Sequence, residues 1–327
     1  MDRKVCVAPM MDCTDRHERF FLRLISKNVL LYTEMIVSDA ISRGDKKKLL
    51  SFNINEKPLA LQVGGSSPKL LAESAKTGED FGYDEINLNL GCPSKKVQKN
   101  KFGACLMKEP NLVADCLTEM ISSCKIPVTV KTRIGYDNVE DYEILQNFIE
   151  ILKKTGVKTF IVHARKAMLG KFSPKQNLNI PPLKYDVVYK LKKNFPKEEI
   201  IINGGISSTT QIKNHLNKVD GVMIGRSVYH SPYFLSDIEK EIFNNDNILS
   251  RQEIIENLIP YVKSEIKKGT RLNQIMRHTL GLFHGQTGSN FWKRYLSENM
   301  CVRDADVKKI DHIMDKIAFN HLTSSAS

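Results

Sequence analysis

Short runs of apolar and β-branched residues alternate with amphipathic stretches between residues 5 and 225. Eight such runs begin at Val5, Leu30, Pro58, Glu85, Pro127, Thr159, Glu199 and Gly221. Because apolar residues are nearly continuous within them, the pattern predicts strands buried on both faces, as in a parallel sheet. Helical patterns lie between the strands, for example over residues 15–28, 110–124 and 139–156. Strand and helix units in series predict an α/β fold, a (β/α)8 TIM barrel.

The pattern changes after the eighth run. Residues 250–269, 270–286 and 304–322 read as amphipathic helices with no strand between them. They predict a small all-α helical domain appended to the barrel at its C-terminal end. We therefore expect a catalytic barrel domain over residues 1–243 and a helical domain over residues 244–327.

The bulk composition narrows the class of protein. An apolar fraction of 41% and a charged fraction of 26% are ordinary for a globular protein. The sequence has neither an uncharged apolar run of membrane-spanning length nor the apolar core of a signal peptide at its start. The seven cysteines form no CxxC pair, which argues against a structural zinc site. We expect a cytoplasmic monomer with reduced thiols, no metal and no membrane partner.

The net charge of +12 is unevenly distributed. Residues 86–108, 151–185 and 266–297 contain lysine and arginine but no acidic residue. Basic segments without carboxylates suit a polyphosphate partner, because each cation is free to neutralise a phosphate. Solvated surfaces of a lysine-rich protein would look the same, so charge alone leaves both interpretations open.

Polar or functional residues follow the predicted strands, where the strands end. In chain order they are Met10 and Met11, Glu34, Gln62, Asn89, Lys131, His163, Asn203 and Gly225. The carboxyl ends of the strands form the active-site face of a TIM barrel. Any one of these residues has a structural explanation; a lone buried histidine is more often a hydrogen-bonded core residue. Their recurrence at one end of successive strands favours a functional site.

Glycines follow the last two strands, in the segments "NGGI" over residues 203–206 and "IGR" over residues 224–226. In this fold such loops often bind a phosphate through backbone N–H groups, and Arg226 could add a charged contact. No GxGxxG segment follows a strand, so the sequence predicts no Rossmann domain.

Cys92 lies in the segment "INLNLGCPSKK", directly after the fourth predicted strand. Its thiol could be a core hydrophobe, a metal ligand, a nucleophile or an acid. A Gly-Cys-Pro turn at the active end of a strand argues against a purely structural thiol. Cys116 and Cys124, by contrast, lie on a predicted helix.

Ten segments together resemble one enzyme family. They are "APMMDCTDRH", "YTEM", "PLALQVGG", "INLNLGCPS", "FGACLM", "VTVKTRIG", "VHARKA", "SPKQNLNIPPL", "INGGI" and "GVMIGR". In this order and spacing the sequence resembles the tRNA-dihydrouridine synthases, from Val5 to about Glu298. The start "MMDCTDRH" and the segment "SPKQNLNIPPL" resemble the A-type subfamily. Cys13 stands where that subfamily commonly has tryptophan, which affects local packing rather than the chemistry.

The resemblance implies a flavoenzyme that reduces uridine in the tRNA D-loop, at positions 20 and 20a, to 5,6-dihydrouridine. FMN would be the bound cofactor and NADPH the electron donor. The implied cofactor contacts are Pro9, Met10 and Met11 at the flavin edge, Gln62, Lys131 and His163 at the ring or ribityl chain, and Asn203, Gly204, Gly205, Gly225 and Arg226 at the phosphate. Asn89 would face the uracil, and Cys92 would donate a proton to its C5 atom. A thiol suits that role because it is mostly protonated at neutral pH yet can release its proton.

Further tRNA contacts are predicted in the acid-free segments, at Lys95, Lys175, Asn177, Lys293 and Arg294. Trp292 and Tyr295 flank the last two and suggest stacking on RNA, although aromatic residues at helical spacing often pack in a core.

Two alternatives remain. An FMN-dependent dehydrogenase of a free pyrimidine, of the dihydroorotate or dihydropyrimidine type, would share the phosphate site, the lysine and the catalytic thiol. The basic segments and the helical domain favour RNA over a free base. A non-catalytic RNA-binding protein on the same fold is disfavoured by the set Cys92, Lys131 and His163.

Overall fold

The computed structural model describes residues 1–139 and 142–301, so the helix predicted over residues 304–322 lies outside the described residues. The chain divides into two compact units. Unit 1 comprises Met1–Thr14 and Val29–Gly225, and unit 2 comprises Asp15–Asn28 and the chain from Arg226 onward.

Eight strands of unit 1 occur where the sequence predicts them, and a ninth, β3, was not predicted. They are β1 (Val5–Val7), β2 (Leu31–Tyr32), β3 (Ile36–Val37), β4 (Leu59–Gly64), β5 (Glu85–Asn89), β6 (Val128–Arg133), β7 (Thr159–His163), β8 (Glu199–Asn203) and β9 (Gly221–Ile224). All pairings are parallel, in the order β1-β9-β8-β7-β6-β5-β4-β2, and the short extra strand β3 pairs with β4.

The sheet closes between β1 and β2, the two ends of this order. The N–H group of Val7 donates to the carbonyl oxygen of Leu30 at 2.9 Å, and the N–H group of Leu30 donates to that of Val5 at 3.1 Å. Closure gives the parallel strands no free edge, as a (β/α)8 barrel requires. The predicted fold class is confirmed.

Helices connect the strands and continue into unit 2. In chain order they are α1 (Arg16–Ile25), α2 (Ser38–Arg43), α3 (Lys46–Leu50), α4 (Pro68–Asp80), α5 (Lys95–Lys99), α6 (Pro110–Ser123), α7 (Tyr142–Lys153), α8 (Pro174–Asn177), α9 (Tyr185–Asn194), α10 (Thr209–Leu216), α11 (Arg226–His230), α12 (Phe234–Ile242), α13 (Arg251–Lys267), α14 (Leu272–Met276) and α15 (Ser289–Asn299). No described helix is both long and apolar enough to cross a membrane.

The inside of the barrel is apolar around β1 and polar along β5. Its buried apolar cluster consists of Cys6, Ala8, Leu30, Tyr32, Ala60, Ile161, Ile201 and Met223. Successive side chains of a strand point to opposite faces. In β5 this places Glu85, Asn87 and Asn89 on one face, and all three are buried.

The division into units differs from the predicted boundary at residues 243 and 244, since unit 2 begins at Arg226 and includes α1. The reason is the packing of α1 against α13. Phe20 stacks on Tyr261 with ring centroids 3.9 Å apart, and His17 Nδ1 lies 2.7 Å from the Tyr261 hydroxyl. The first helix of the chain thus belongs to the helical unit.

The helix predicted over residues 270–286 is interrupted. It forms α14 and then a 3-10 turn, Arg277–Gly281. A Cβ atom on Gly281 would lie 2.3 Å from the carbonyl oxygen of His230, so this turn packs directly on backbone. Trp292 is fully buried beside it and donates its indole N–H to the carbonyl oxygen of Thr279 at 2.9 Å. The alternative of a core tryptophan is therefore the correct one.

His278 is buried in unit 2 between two carboxylates of the α1 segment. One ring nitrogen lies 3.1 Å from Asp15 and the other lies 3.1 Å from Glu18. Against the cost of burial, these carboxylates raise the pKa of His278 to about 9. Burial raises the pKa of Glu18 to about 7, and the pKa of Asp15, which also pairs with Arg277, is lowered by its hydrogen bonds to His278.

We predict that unit 2 loses stability as the pH rises from about 6.5 to 9. His278 binds its proton more tightly when folded, so its contribution is complete below its unfolded pKa and is lost through its folded pKa. Glu18, with a raised pKa, acts in the same direction at lower pH. H278Q should flatten the fall in melting temperature between pH 7 and 9, whereas H230Q, at an exposed histidine, should not. Equal slopes in H278Q and wild type would contradict the assignment.

Candidate active site at the carboxyl ends of the strands

Strand register brings the predicted site residues to one end of the barrel. Asn89 of β5 pairs with Lys131 of β6. His163 of β7 pairs with Asn203 of β8. Asn203 in turn pairs with Met223 of β9. The prediction that these strand ends converge follows from the parallel topology and is met here.

Lys131 is half-buried and has a neutral hydrogen-bond partner. Its Nζ donates to Asn203 Oδ1 at 3.1 Å, and Asn203 Nδ2 donates to the carbonyl oxygen of Met223 at 2.8 Å. Burial, together with the nearby Arg133, lowers the pKa of Lys131 to about 7. An electron-rich or anionic ligand beside Nζ would restore the charge and be held by it.

Arg133 belongs to the same site, although it was not among the predicted site residues. Its Nε donates to the carbonyl oxygen of Gly91 at 2.8 Å, and Nη1 donates to that of Lys166 at 3.0 Å. Burial lowers its pKa to about 10. In the described part of the chain, neither Arg133 nor Lys131 pairs with a carboxylate. The signal was present in the segment "VKTR", because residues two apart in a strand share a face.

Cys92 lies in the loop between β5 and α5. Its N–H group donates to Asn89 Oδ1 at 3.0 Å, and its carbonyl oxygen accepts from the Ala104 N–H at 3.0 Å. Gly103 permits this contact, because a Cβ there would lie 2.7 Å from the Cys92 carbonyl oxygen. Burial raises the pKa of the Cys92 thiol, outweighing the Ser94 backbone hydrogen bond and the charges of Arg133 and Lys131, which lower it. The thiol is therefore protonated at neutral pH.

Gln62 and Asn89 are joined to each other. Asn89 Nδ2 donates to Gln62 Oε1 at 2.8 Å, and Gln62 Nε2 donates to Asn87 Oδ1 at 2.8 Å. The Asn89 oxygen accepts from the backbone of Gly91 and Cys92. Asn89 thus supports the cysteine loop, in addition to any contact it makes with substrate.

The glycines after β8 pack too tightly for a side chain. A Cβ on Gly204 would lie 2.8 Å from His163 Cδ2, and one on Gly205 would lie 2.6 Å from Leu183 Cδ1. Their φ angles of +124° and +70° also favour glycine. Packing and backbone conformation therefore both require glycine at these two positions.

The loop after β1 completes this end of the barrel. Met10 packs against the barrel cluster, with Sδ 3.2 Å from the position of a Cβ on Gly225. Pro9 is half-buried and Met11 is 55% exposed. The Asp12 N–H donates to Glu34 Oε1 at 2.5 Å, which anchors a turn in which Asp12 has a φ of +61°. Glu34 is thus a positioning residue for this loop.

The residues predicted to contact tRNA are differently placed. Lys95 on α5 and Lys175 on α8 are exposed, as is Arg294 on α15, whereas Lys293 is half-buried. Asn177 is fully buried, its Oδ1 accepts from the Met168 N–H at 2.7 Å, and its Nδ2 donates to three backbone carbonyl groups. The prediction that Asn177 contacts tRNA is therefore not retained, because its amide folds its own loop.

Arg226, predicted to contact phosphate, is the first residue of α11 and of unit 2. Within the described residues, no group of three or more His, Cys, Asp or Glu side chains is arranged to hold a metal ion.

Comparison with known proteins identifies the family. A relative from Synechocystis, named tRNA-dihydrouridine(20/20a) synthase, is 54% identical over 300 residues, covering 91% of this chain and 90% of its own. Relatives of the same name from Escherichia coli K12 and Vibrio cholerae are 49% and 46% identical; each alignment covers at least 91% of both chains. The family model described as dihydrouridine synthase matches residues 6–318. The chain belongs to the dihydrouridine synthase family.

Proposed function

We propose that this protein reduces uridine to 5,6-dihydrouridine in the D-loop of tRNA, at positions 20 and 20a, with bound FMN and with NADPH as electron donor. The observation that carries the proposal is a protonated thiol, Cys92, at a barrel mouth where Lys131 and Arg133 have no carboxylate partner among residues 1–139 and 142–301. Family membership and the names of the relatives support the substrate and the positions.

The residues at the barrel mouth fit a flavin. Lys131 of β6 offers a cation to the electron-rich edge of the ring; His163 lies on the adjacent strand β7, and Gln62 lies on β4. The backbone N–H groups of Gly204 and Gly205, with Gly225 after β9, are proposed as the cradle of the FMN phosphate. When bound, FMN would supply the hydride that adds to C6 of the uracil ring.

Cys92 provides the proton. Addition at C6 develops negative charge toward C5, and an acid must protonate that carbon. Burial keeps the thiol protonated, and the two cations nearby would stabilise the thiolate that remains after transfer. A carboxylate would already be ionised at neutral pH.

The uridine must leave its stack to reach such a pocket. Extruding a base costs a few kcal/mol, which phosphate contacts elsewhere offset. Lys95 and Lys175 on the barrel unit and Lys293 and Arg294 on α15 are proposed to supply these contacts.

The purified protein should be yellow, with a flavin spectrum and near-equimolar FMN. FMN should stay bound because the glycine cradle holds its phosphate and Lys131 holds its ring. Absorbance near 450 nm and identification of the released flavin by mass measure this. A colourless protein that FMN does not reconstitute would refute a flavoenzyme.

C92A should retain FMN and NADPH oxidation but lose dihydrouridine formation by ~100-fold or more, because no acid remains to protonate C5. Dihydrouridine in tRNA is measured by mass spectrometry of nucleosides. C105A is the matched control, since Cys105 is another half-buried thiol that should tolerate removal. Normal turnover by C92A would show that another group is the acid.

K293A/R294A should weaken tRNA binding and flatten its salt dependence while leaving NADPH oxidation unchanged, because each phosphate contact releases counterions. K47A/K48A, two adjacent exposed lysines outside the acid-free segments, removes the same charge and serves as the control. The measurement is the binding constant at several salt concentrations. Equal effects of the two double variants would remove α15 from the RNA surface.

A further inference from the structure

A line of buried polar side chains runs through the barrel unit to the loop that carries Cys92. We call it the polar column; its members are Arg3, Glu85, Thr129, Asn87, Gln62 and Asn89. None of the six is more than 8% exposed. Polar groups at this depth must satisfy one another, so the direction of each hydrogen bond matters.

The polar column has an upper end at Asn89, beside the Cys92 loop, and a lower end at Arg3 and Glu85. The upper end fixes the orientation of Asn89. The atom of Asn89 that faces the backbone N–H groups of Gly91 and Cys92, at 3.1 and 3.0 Å, must be the oxygen, since both groups can only donate. Its Nδ2 therefore faces Gln62 at 2.8 Å, and the atom that it meets must be an oxygen. The hydrogen-bond partners therefore determine which way each amide group is oriented.

The same direction continues downward. Gln62 Nε2 donates to Asn87 Oδ1 at 2.8 Å, which turns Asn87 Nδ2 toward Thr129 Oγ1 at 2.9 Å. The Thr129 oxygen accepts this bond, so its own hydrogen is free to be donated further.

The lower end of the column, at Glu85, independently requires the same direction of hydrogen-bond donation. Thr129 Oγ1 lies 2.6 Å from Glu85 Oε1, and a carboxylate can only accept. Glu85 Oε2 is held by Arg3 Nε at 2.7 Å. The carboxylate at one end and two backbone amides at the other thus both fix the direction, with no freedom for an amide to turn in between.

We propose that the polar column positions the Cys92 loop, and that Glu85 and Thr129 are positioning residues for the proton transfer although neither touches the reacting atoms. The proposal rests on the proposed function for its catalytic consequence. Without the Thr129 hydroxyl group, the buried Asn87 Nδ2 loses its acceptor, a cost that a shift of Asn87 relieves. Gln62 and Asn89 follow through their hydrogen bonds, which draws Asn89 Oδ1 away from the backbone N–H groups of Gly91 and Cys92 and loosens the loop.

Substitutions at Thr129 distinguish a positioning role from simple packing, because valine and serine each keep a different half of the threonine side chain. T129V keeps the shape and loses the hydroxyl group, whereas T129S keeps the hydroxyl group and loses the methyl group. We expect T129V to lower kcat for dihydrouridine formation ~10-fold, as small misplacements of reacting groups do, and T129S to retain most activity, with FMN content unchanged in both. A larger loss in T129S than in T129V would overturn the proposal.

A second readout does not depend on the reaction. Iodoacetamide should alkylate Cys92 faster in T129V than in wild type, since the loop loses its anchor, while Cys105 should react at an unchanged rate. Peptide mass spectrometry of protein without tRNA measures both thiols at once. Equal Cys92 rates in T129V, T129S and wild type would overturn the proposal.

Y32F is the matched control. Tyr32 donates to the same Glu85 oxygen at 2.8 Å but lies outside the polar column, so its loss should leave the Cys92 rate unchanged. If T129V does not fold, E85Q decides the question. A glutamine that keeps its oxygen on Arg3 Nε turns an N–H group toward Thr129 Oγ1, so the Thr129 hydroxyl group loses its acceptor and its bond to Asn87 is disturbed. The Cys92 rate should rise in E85Q, and an unchanged rate would refute the column. A wild-type protein that formed no dihydrouridine would refute the proposed function, while the alkylation series would still decide the positioning role.

Discussion

Polar side chains inside a closed barrel have no bulk water to bind, so each must pair with another protein group or with a ligand. Below the mouth they pair with one another, which produces the polar column. At the mouth, Lys131 and Arg133 pair with neutral amide and carbonyl oxygens. Within the part of the chain that the structure describes, no carboxylate competes with a ligand that brings electron density to these two cations. The capacity of the site to bind such a ligand is therefore a consequence of how the interior is satisfied.

The same surroundings give the cysteine its chemical character. Burial favours the neutral thiol at Cys92, and the two cations favour the thiolate, but burial has the larger effect. A thiol that stays protonated is an acid; with the opposite balance it would be a nucleophile. The cations still contribute, because they lower the cost of the charge that appears once the proton has left. The same environment thus keeps the Cys92 thiol protonated and stabilises the thiolate that forms when the proton is transferred.

The strands and the convergence of their ends could be predicted from sequence, because parallel strands buried on both faces give nearly continuous apolar runs. Arg133 was within reach, two residues beyond Lys131 on the same face. Other features were not, since burial of a polar or aromatic residue depends on distant packing. Asn177 and Trp292 stand beside exposed basic residues in the sequence, yet one folds its own loop and the other fills the core of unit 2. The assignment of α1 to unit 2 likewise depends on contacts with residues far along the sequence.

Unit 2 is built from two segments, and strands β2 to β9 of unit 1 lie between them in the sequence. Asp15 and His278 are 263 residues apart, yet they meet in one buried cluster. At ribosomal rates of about 5–20 residues per second, α1 waits on the order of 10 to 50 seconds for that partner. During this time Phe20 and the Glu18 carboxylate have none of their α13 or His278 contacts. Unit 2 is therefore the last part of the chain to complete its internal contacts, although it contains α1, the first of the described helices to be synthesised.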